Sequence, residues 1–587
     1  MLVYGMAKYP HLKSLNTFYK PHRAKIVLFV VFTLLAGVTT LAFPFATSQI
    51  IINLTGEKYK VMAVFALILF GLIALDAAFE FIANFVNSKT TNALFLAIRR
   101  EVAHKTMSMN LSAVYAKGSG FFLERLGEDC REVSGVLLNI ARAVINIVVN
   151  LGFIGYIAVL NPWLGLIFGT GLVILVFLEY FRVSRMLANM KKSKRAIEKV
   201  KANETEILKG IKEIKGIGAR GAIIEKHSSV SRAFVDVRYR REMFNTKMQS
   251  GIDLVKAVTD LAILLFAGLV LLPKGAVALA AVLVVYNYKG NIYGLIAGLA
   301  RIKDTYVNGE LAAKRINDVI NAPADETDNF GGKSLASEIK TIAFRDVAFS
   351  YNEERAILKD IDFEIDKPGV YGFVGKSGSG KSTIFSLLTR FYKQTAGSIT
   401  INGTDIAELD EGTMRNTITP VLQDPYMFND TIMNNVRFAR NTATNDEVIQ
   451  ACTLARIHDE IVAMRDGYDT VIGENGATIS GGQKQRLEIA RALLKDTKVM
   501  LFDEATSALD KTNLNYINDL LVELGKVKII LVIAHRLGVM RRCDKVIVLD
   551  EGKIIAVGHH DELCRTCDYY AELFKKSSTT EEKKEEI

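Results

Sequence analysis

The chain has 587 residues, too many for one hydrophobic core, so two or more domains are expected. Half of the residues are hydrophobic and the mean hydropathy is +0.21, which argues against a wholly soluble enzyme. The formal net charge of +10 leaves a nucleic-acid binder or a membrane protein with basic cytoplasmic loops, and the five scattered cysteines speak against a disulfide framework.

In chain order, Lys13–Arg23 is short, basic and flecked with aromatics, as expected of an entry helix lying along a membrane surface. Six apolar runs follow, at Ile26–Ile52, Val61–Val86, Val136–Leu160, Trp163–Phe181, Ile252–Leu272 and Ala276–Leu299. Each is long enough to cross ~30 Å of hydrocarbon as a helix. The first is too long, and lacks the cleavage pattern, for a signal peptide. Connections alternate between tiny (Asn53–Lys60, Asn161–Pro162, Pro273–Gly275) and long (Asn87–Gly135, Arg182–Gly251). The long ones hold Arg99, Arg100, Lys105, Lys191, Lys192, Lys194, Arg195 and Arg238–Arg241. By the positive-inside rule they are cytoplasmic, as are both termini. The basic balance is thus topology, and no nucleic-acid partner is expected.

Arg182–Gly251 reads as a down-and-back helical pair reaching ~45 Å below the bilayer at 1.5 Å per residue, with its turn at Gly216–Gly221. The shorter arm has a similar break at Tyr115–Gly120. Ionisable residues are costly in lipid and face protein or a wet cavity. They form helical stripes: Asp76 and Glu80; Asn139, Arg142, Asn146 and Asn150; Asp253, Lys256 and Asp260; Tyr286, Lys289 and Tyr293. Two readings stand: a cavity open to the cytoplasm where a substrate enters, or residues that pair structurally between helices or lie below the bilayer.

Asn321–Glu338 is polar, carries Pro and Gly and lacks periodicity, so a linker is expected over 321–340, after a membrane domain of 1–320. Strand-like runs then alternate with helices, the mark of an α/β domain, over 341–575. A charged tail, 576–587, closes the chain. Cys564 and Cys567, beside His559 and His560, form one C-x-x-C without a second pair, and a structural role is expected for them.

Within the second domain, Gly375-Lys376-Ser377-Gly378-Ser379-Gly380-Lys381-Ser382 fits the phosphate-binding pattern G-x-x-x-x-G-K-[ST]. A β-prone run, Val370–Val374, precedes it and a helical run, Thr383–Phe391, follows. Glycines let successive N–H groups converge on an anion, and the helix N-terminus adds its positive end. Lys381 then reaches the β- and γ-phosphates, and the Ser382 hydroxyl binds Mg²⁺. Val499–Phe502 and Ile529–Ile533 read as buried parallel strands. The first runs into Asp503, the expected Mg²⁺ partner, and Glu504, which accepts a proton from, or orients, the attacking water.

Ile479-Ser480-Gly481-Gly482-Gln483 resembles the L-S-G-G-Q signature that, together with a phosphate loop, marks the ATP-binding cassette (ABC) family. Gln423 in V-L-Q-D-P resembles its Q-loop, Thr470–Gly476 its X-loop, Ser507–Asp510 its D-loop, His535 its switch histidine, and Tyr351 the aromatic that stacks on adenine. The motifs come in the family's order over Thr341–Leu573, and with six spans ahead the chain resembles an ABC exporter half-transporter. The fold this implies is an all-α six-helix transmembrane domain followed by an α/β P-loop ATP-binding cassette.

The resemblance implies ATP and Mg²⁺ as cofactors. ATP would be held by Tyr351, by Gly375 to Thr383 and, from a second copy, by Ser480, Gly481, Gly482 and Gln483. Mg²⁺ would be held by Ser382, Gln423 and Asp503, with Lys381, Gln423, Glu504 and His535 as the catalytic set. Since the turn and the loop bind the same kind of ligand, the family's answer is a head-to-tail dimer in which Ser480 and Gly482 cap the γ-phosphate held by the other copy. Ile479 replaces the usual leucine, a conservative change. The chain keeps both Glu504 and a nearly intact signature, which favours a homodimer over half of a heterodimer. The implied function is ATP-driven export of a small amphipathic substrate (drug, lipid or peptide) across the cell membrane, with membrane lipid around the spans. A nucleotide-gated channel or regulator on the same scaffold is the alternative.

Overall fold

The apolar runs form helices that extend well beyond hydrocarbon thickness. In the computed structural model, which describes residues 10–274, 279–335, 338–351, 355–473, 476, 478–504, 509–534 and 537–575, the long helices are α1 (Arg23–Thr55), α2 (Tyr59–Met107), α3 (Cys130–Leu160), α4 (Pro162–Lys209), α5 (Arg220–Phe266) and α6 (Leu279–Ile320). Five helical stretches are long and apolar enough to span a membrane: Asn16–Thr55, Tyr59–Met107, Ser119–Val159, Pro162–Arg185 and Arg220–Leu271. The predicted sixth run begins within 275–278, outside the described residues, and is helical from Leu279. Neighbours in sequence pack side by side, α1 with α2 and α4 with α5, while α3 packs against α6.

Local chemistry sets the breaks. Asn161 turns the chain from α3 into α4 in extended conformation, and its side-chain oxygen accepts from the Trp163 and Leu164 N–H groups at 3.0 and 3.3 Å. Pro162 at the first helical position adds a pre-set φ and removes an N–H that would have had no helical acceptor. At the far end, α4 gives way at Gly210, and after a short helix, Ile211–Gly216, the chain reverses through Ile217-Gly218-Ala219 into α5. Gly218 takes φ +70, the left-handed region that only glycine adopts freely. This turn lies inside the predicted Gly216–Gly221. In the shorter arm, the short helices Leu111–Lys117 and Ser119–Glu124 meet at Gly118.

The chain divides into two compact units, Met1–Met107 with Gly118–Ala322, and Ser108–Lys117 with Pro323–Ile587. The second unit therefore takes in the tip of the shorter arm. Asn110 N–H donates to Glu326 C=O at 2.9 Å, Asp328 N–H donates to Ser108 C=O at 3.0 Å, and Lys117 pairs with Glu326.

Two sheets make up the second unit. β1 (Ile342–Phe349), β2 (Leu358–Ile365), β4 (Ala396–Ile401) and β5 (Thr404–Asp405) form an antiparallel sheet in the order β2-β1-β4-β5. β3 (Gly369–Val374), β6 (Ile418–Val421), β7 (Val499–Asp503), β8 (Ile529–Ile533), β9 (Lys545–Asp550) and β10 (Lys553–Gly558) form the other, in the order β10-β9-β3-β8-β7-β6. It is parallel except for the β9–β10 pair. β3 and β8 are buried along their whole length, which their unbroken apolar sequences require. β2 instead alternates, turning Ile361, Phe363 and Ile365 inward. There Phe363 stacks on Phe344 with ring centroids 4.5 Å apart and meets Phe373 of β3 edge-on, so one core joins the two sheets. Helices α7 (Lys381–Leu388) and α8 (Gly481–Lys495) carry motif residues, and α9 (Lys511–Gly525) begins just after Asp510, which caps it.

Candidate nucleotide site

The phosphate loop follows the carboxyl end of β3, between the parallel neighbours β8 and β9, the end at which open α/β sheets bind ligands. Gly380 leads into α7 with φ +103, and a Cβ there would stand 2.5 Å from Leu358 Cδ2, so backbone and space both demand glycine. The Lys381 ammonium folds back over the loop and donates to Gly375 C=O and Lys376 C=O at 2.9 Å each. Burial pushes its pKa down, while the nearby carboxylates of Glu504 and Asp503 act to raise it. A buried cation whose partners are two carbonyls and, at 3.5 Å, the Ser379 hydroxyl is suited to gain from phosphate oxygens.

Register in the main sheet gathers the acidic pair. Asp503, last residue of β7, lies opposite Ile533 of β8, and Ser382 at the start of α7 donates its hydroxyl to Asp503 Oδ1 at 3.0 Å. Glu504 follows in the left-handed region at φ +51, with its N–H donating to Ile533 C=O. Strain of this kind in a non-glycine residue, held by a strand-end hydrogen bond, is often found at functional sites. Gln423, two residues after β6, donates its amide to Glu504 Oε2 at 2.6 Å. Ser382, Asp503, Gln423 and Glu504 thus meet at one end of the sheet, though they are far apart in sequence.

The donor set suits a hard divalent cation: a hydroxyl, a carboxylate and an amide oxygen, with few charges, as Mg²⁺ sites completed by phosphate and water use. Among the described residues no group of three or more His, Cys, Asp or Glu side chains is placed to hold a metal ion by itself. Cys564 lies 3.8 Å from both ring nitrogens of His560, which also bonds the Tyr570 hydroxyl.

Tyr351 stands at the rim. Its hydroxyl and that of Thr383 lie 3.3 Å apart, and its ring packs edge-on against Phe349 and Tyr392 at 4.8 and 5.0 Å. Tyr392 was not indicated by any motif, nor was Tyr569, whose hydroxyl accepts the Lys376 N–H at 3.3 Å and donates to Asp550. Tyr569 is remote in sequence from the loop it bonds, and Tyr392 from the Tyr351 ring it braces, so spacing gives no signal for them.

The signature turn caps α8. Ser480 Oγ accepts from Gln483 N–H at 3.3 Å while Gln483 Oε1 accepts from Ser480 N–H at 2.8 Å, a reciprocal capping box. Gly481 and Gly482 open the helix. Among the described residues no hydrogen bond or ion pair joins Ser480–Gln483 to the phosphate loop. His535, Ser507 and residues 474–475 of the X-loop run lie outside the described residues, as does the tail 576–587.

In the first unit the polar stripes diverge. Asp260 accepts from Lys289 at 2.6 Å and from the Tyr293 hydroxyl at 2.8 Å, and Asp253 pairs with Lys256 at 3.0 Å. Those residues satisfy one another. Asp76, Glu80, Arg142, Asn146 and Asn150 instead line a cavity of about 470 Å³ with Thr33 and Thr40. Asp76 accepts from Thr39 and Thr40, and Arg142 donates to Asn84 at 2.6 Å.

The family model described as "ABC transporter" matches residues 358–507, and that described as "ABC transporter transmembrane region" matches 26–289. An ATP-dependent lipid A-core flippase of Vibrio vulnificus (strain YJ016) is 30% identical over 518 residues, 87% of each chain. A provisionally named multidrug export ATP-binding/permease protein of Staphylococcus aureus (strain NCTC 8325 / PS 47) is 27% identical over 582 residues, 96% of this chain and 99% of that one. A solved bacterial Atm1-family ABC exporter with ATP bound superposes with a TM-score of 0.82 at 25% identity, covering 94% of this chain and 99% of that chain.

Proposed function

The chain belongs to the ABC transporter family, an exporter half with its membrane region ahead of its ATPase cassette, and from that premise we propose how its residues divide the work. It couples ATP hydrolysis to export. The observation that carries the assignment of roles is the meeting of Ser382 with Asp503 and of Gln423 with Glu504 at the carboxyl end of the parallel sheet.

In this reading Gly375–Thr383 cradle the phosphates through backbone N–H groups, Lys381 neutralises the β- and γ-oxygens, and Tyr351 stacks on adenine. Ser382, Asp503 and Gln423 would hold Mg²⁺, which when bound supplies charge neutralisation to the triphosphate. Glu504 takes a proton from, or orients, the attacking water, with Gln423 fixing its carboxylate. His535 would sense the γ-phosphate. Two copies pair head to tail, and Ser480 and Gly482 of each cap the γ-phosphate held by the other. Domain bounds of 1–320, 321–340, 341–575 and 576–587 accompany this reading, with cassette and termini cytoplasmic and the spans in the cell membrane.

The substrate we assign is amphipathic, in keeping with the lipid and drug cargoes in the relatives' names. The cavity walled by Asp76, Glu80 and Arg142 is its proposed site. Among the described residues two acids against one base leave its lining at net −1, a preference for neutral or cationic head groups over anionic ones.

The decisive experiment is Glu504→Gln. Turnover should fall about 10²–10⁴-fold, the usual worth of a general base, with ATP binding retained. A variant hydrolysing at the parent rate overturns the assignment.

A further inference from the structure

Glu460 sits on the short helix His458–Val462, outside every motif that marks the family. Its Oε2 accepts from the Gln483 side-chain amide at 2.9 Å and from Arg486 Nη2 at 3.0 Å, and its Oε1 lies 2.7 Å from Arg486 Nη1. The Arg486 side chain is 8% exposed and also donates to Arg456 C=O at 2.8 Å, so the carboxylate is anchored to a rigid base.

The chemistry of the Gln483 carboxamide makes this contact consequential. A carboxamide has one accepting end and one donating end, and a half-turn exchanges them. Its oxygen accepts the Ser480 N–H at 2.8 Å and its nitrogen faces Glu460. A backbone N–H only donates and a carboxylate only accepts, so both neighbours demand the same orientation. Reversed, the amide would set nitrogen against N–H and oxygen against carboxylate. The Ser480 hydroxyl uses a lone pair to accept the Gln483 N–H and keeps its own proton to give.

We propose that Glu460 is a positioning residue for the signature turn: by locking the Gln483 carboxamide it holds the Ser480 hydroxyl and the Gly482 N–H in the attitude needed to cap the γ-phosphate of the opposite copy. The inference rests on the head-to-tail reading and adds to it a residue from the helical part of the cassette. A polarity swap separates this role from general support. In Glu460→Gln the amide at 483 loses its acceptor-only neighbour, since the new carboxamide can turn either its oxygen or its nitrogen toward it, and in Gln483→Glu two carboxylates face each other. In the double variant Glu460→Gln/Gln483→Glu, residue 483 is again acceptor-only toward Ser480 N–H and receives the amide of residue 460.

The test uses the full chain in liposomes and reads kcat and KM for ATP, binding of a fluorescent ATP analogue at the phosphate loop, and thermal stability. Each single variant should lose about tenfold in kcat, the size of one charge-assisted hydrogen bond, and Glu460→Gln should leave analogue binding at the phosphate loop unchanged. The double variant should recover most of that loss. Parent-like turnover in Glu460→Gln, additive losses in the double, or parallel loss of analogue binding and stability would each overturn the proposal. Undiminished hydrolysis by a protein shown to be monomeric would instead sink the head-to-tail reading, whatever the swap does.

Discussion

Replacing Asp260 with alanine tests whether the stripe shared by α5 and α6 is an internal ion pair. Lys289 and Asp260 side chains are 24% and 18% exposed, their charged atoms 2.6 Å apart, and Tyr293 gives Asp260 a second bond at 2.8 Å. Without the carboxylate, Lys289 keeps the face of Tyr286, 3.6 Å from its nitrogen. An unpaired lysine inside a span costs ~2.5–3.5 kcal/mol on insertion scales. The retained cation–π contact offsets ~1 of that, and the Tyr293 hydroxyl, left with only the Lys256 carbonyl at 3.4 Å, adds back up to ~1. The net expectation for Asp260→Ala is therefore a destabilisation of ~3 kcal/mol. Asp260→Ala/Lys289→Met removes both charges and should cost ~1 kcal/mol or less, since deleting a whole buried pair is far milder than deleting half. Denaturant unfolding in nanodiscs, with transport activity measured alongside, reads this directly. Asp260→Ala as stable as the parent, or a double variant as unstable as the sum of the singles, refutes the pairing.

Two further outcomes follow from the nucleotide site. Ser382→Ala removes the hydroxyl bonded to Asp503, and the Mg²⁺ concentration for half-maximal ATPase at fixed ATP should rise ~10–100-fold, checked by metal titration. Tyr351→Ala removes a ring braced by Phe349 and Tyr392, and a lost base stack of ~1–3 kcal/mol should raise the ATP Kd ~5–150-fold. Tyr351→Phe keeps the stack and should stay near the parent in the same binding assay.

What could be read from the residues divides along a physical line. Phosphate chemistry needs donors at fixed local spacing, so Gly375–Ser382 and Ser480–Gln483 announce themselves, and unbroken apolar runs such as Ile529–Ile533 map directly onto the observed strand. Helix breaks were legible wherever glycine or an Asn-Pro pair made continuation costly, as at Gly218 and Asn161. Long-range partnership was not. Nothing in the spacing of Asp253, Lys256, Asp260 and Lys289 separates them from Asp76, Glu80 and Arg142, since both sets are helical stripes. Only packing shows that the first set neutralises itself while the second faces a cavity. Tyr392, Tyr569 and Glu460 escaped for the same reason: each acts on a motif from a remote element, and single-chain spacing cannot encode that.

The strength of the proposed cap follows from the same bookkeeping of donors. Swinging a closing equilibrium from 1:99 to 99:1 takes ~5.5 kcal/mol of differential affinity, or ~2.7 kcal/mol from each of two sites. In the proposed head-to-tail pair one signature turn would offer the opposite γ-phosphate two donors, the Ser480 hydroxyl and the Gly482 N–H. Each charge-assisted bond is worth ~1.5–3 kcal/mol net. The pair therefore supplies ~3–6 kcal/mol per site if the turn is already in place, and less by whatever must be spent to order it. The reciprocal cap between Ser480 and Gln483, braced by Glu460, keeps that ordering cost small. A turn free to reorient would bring the lower figure below the threshold. On this arithmetic two half-sites driving export need a rigid signature as much as they need a phosphate loop.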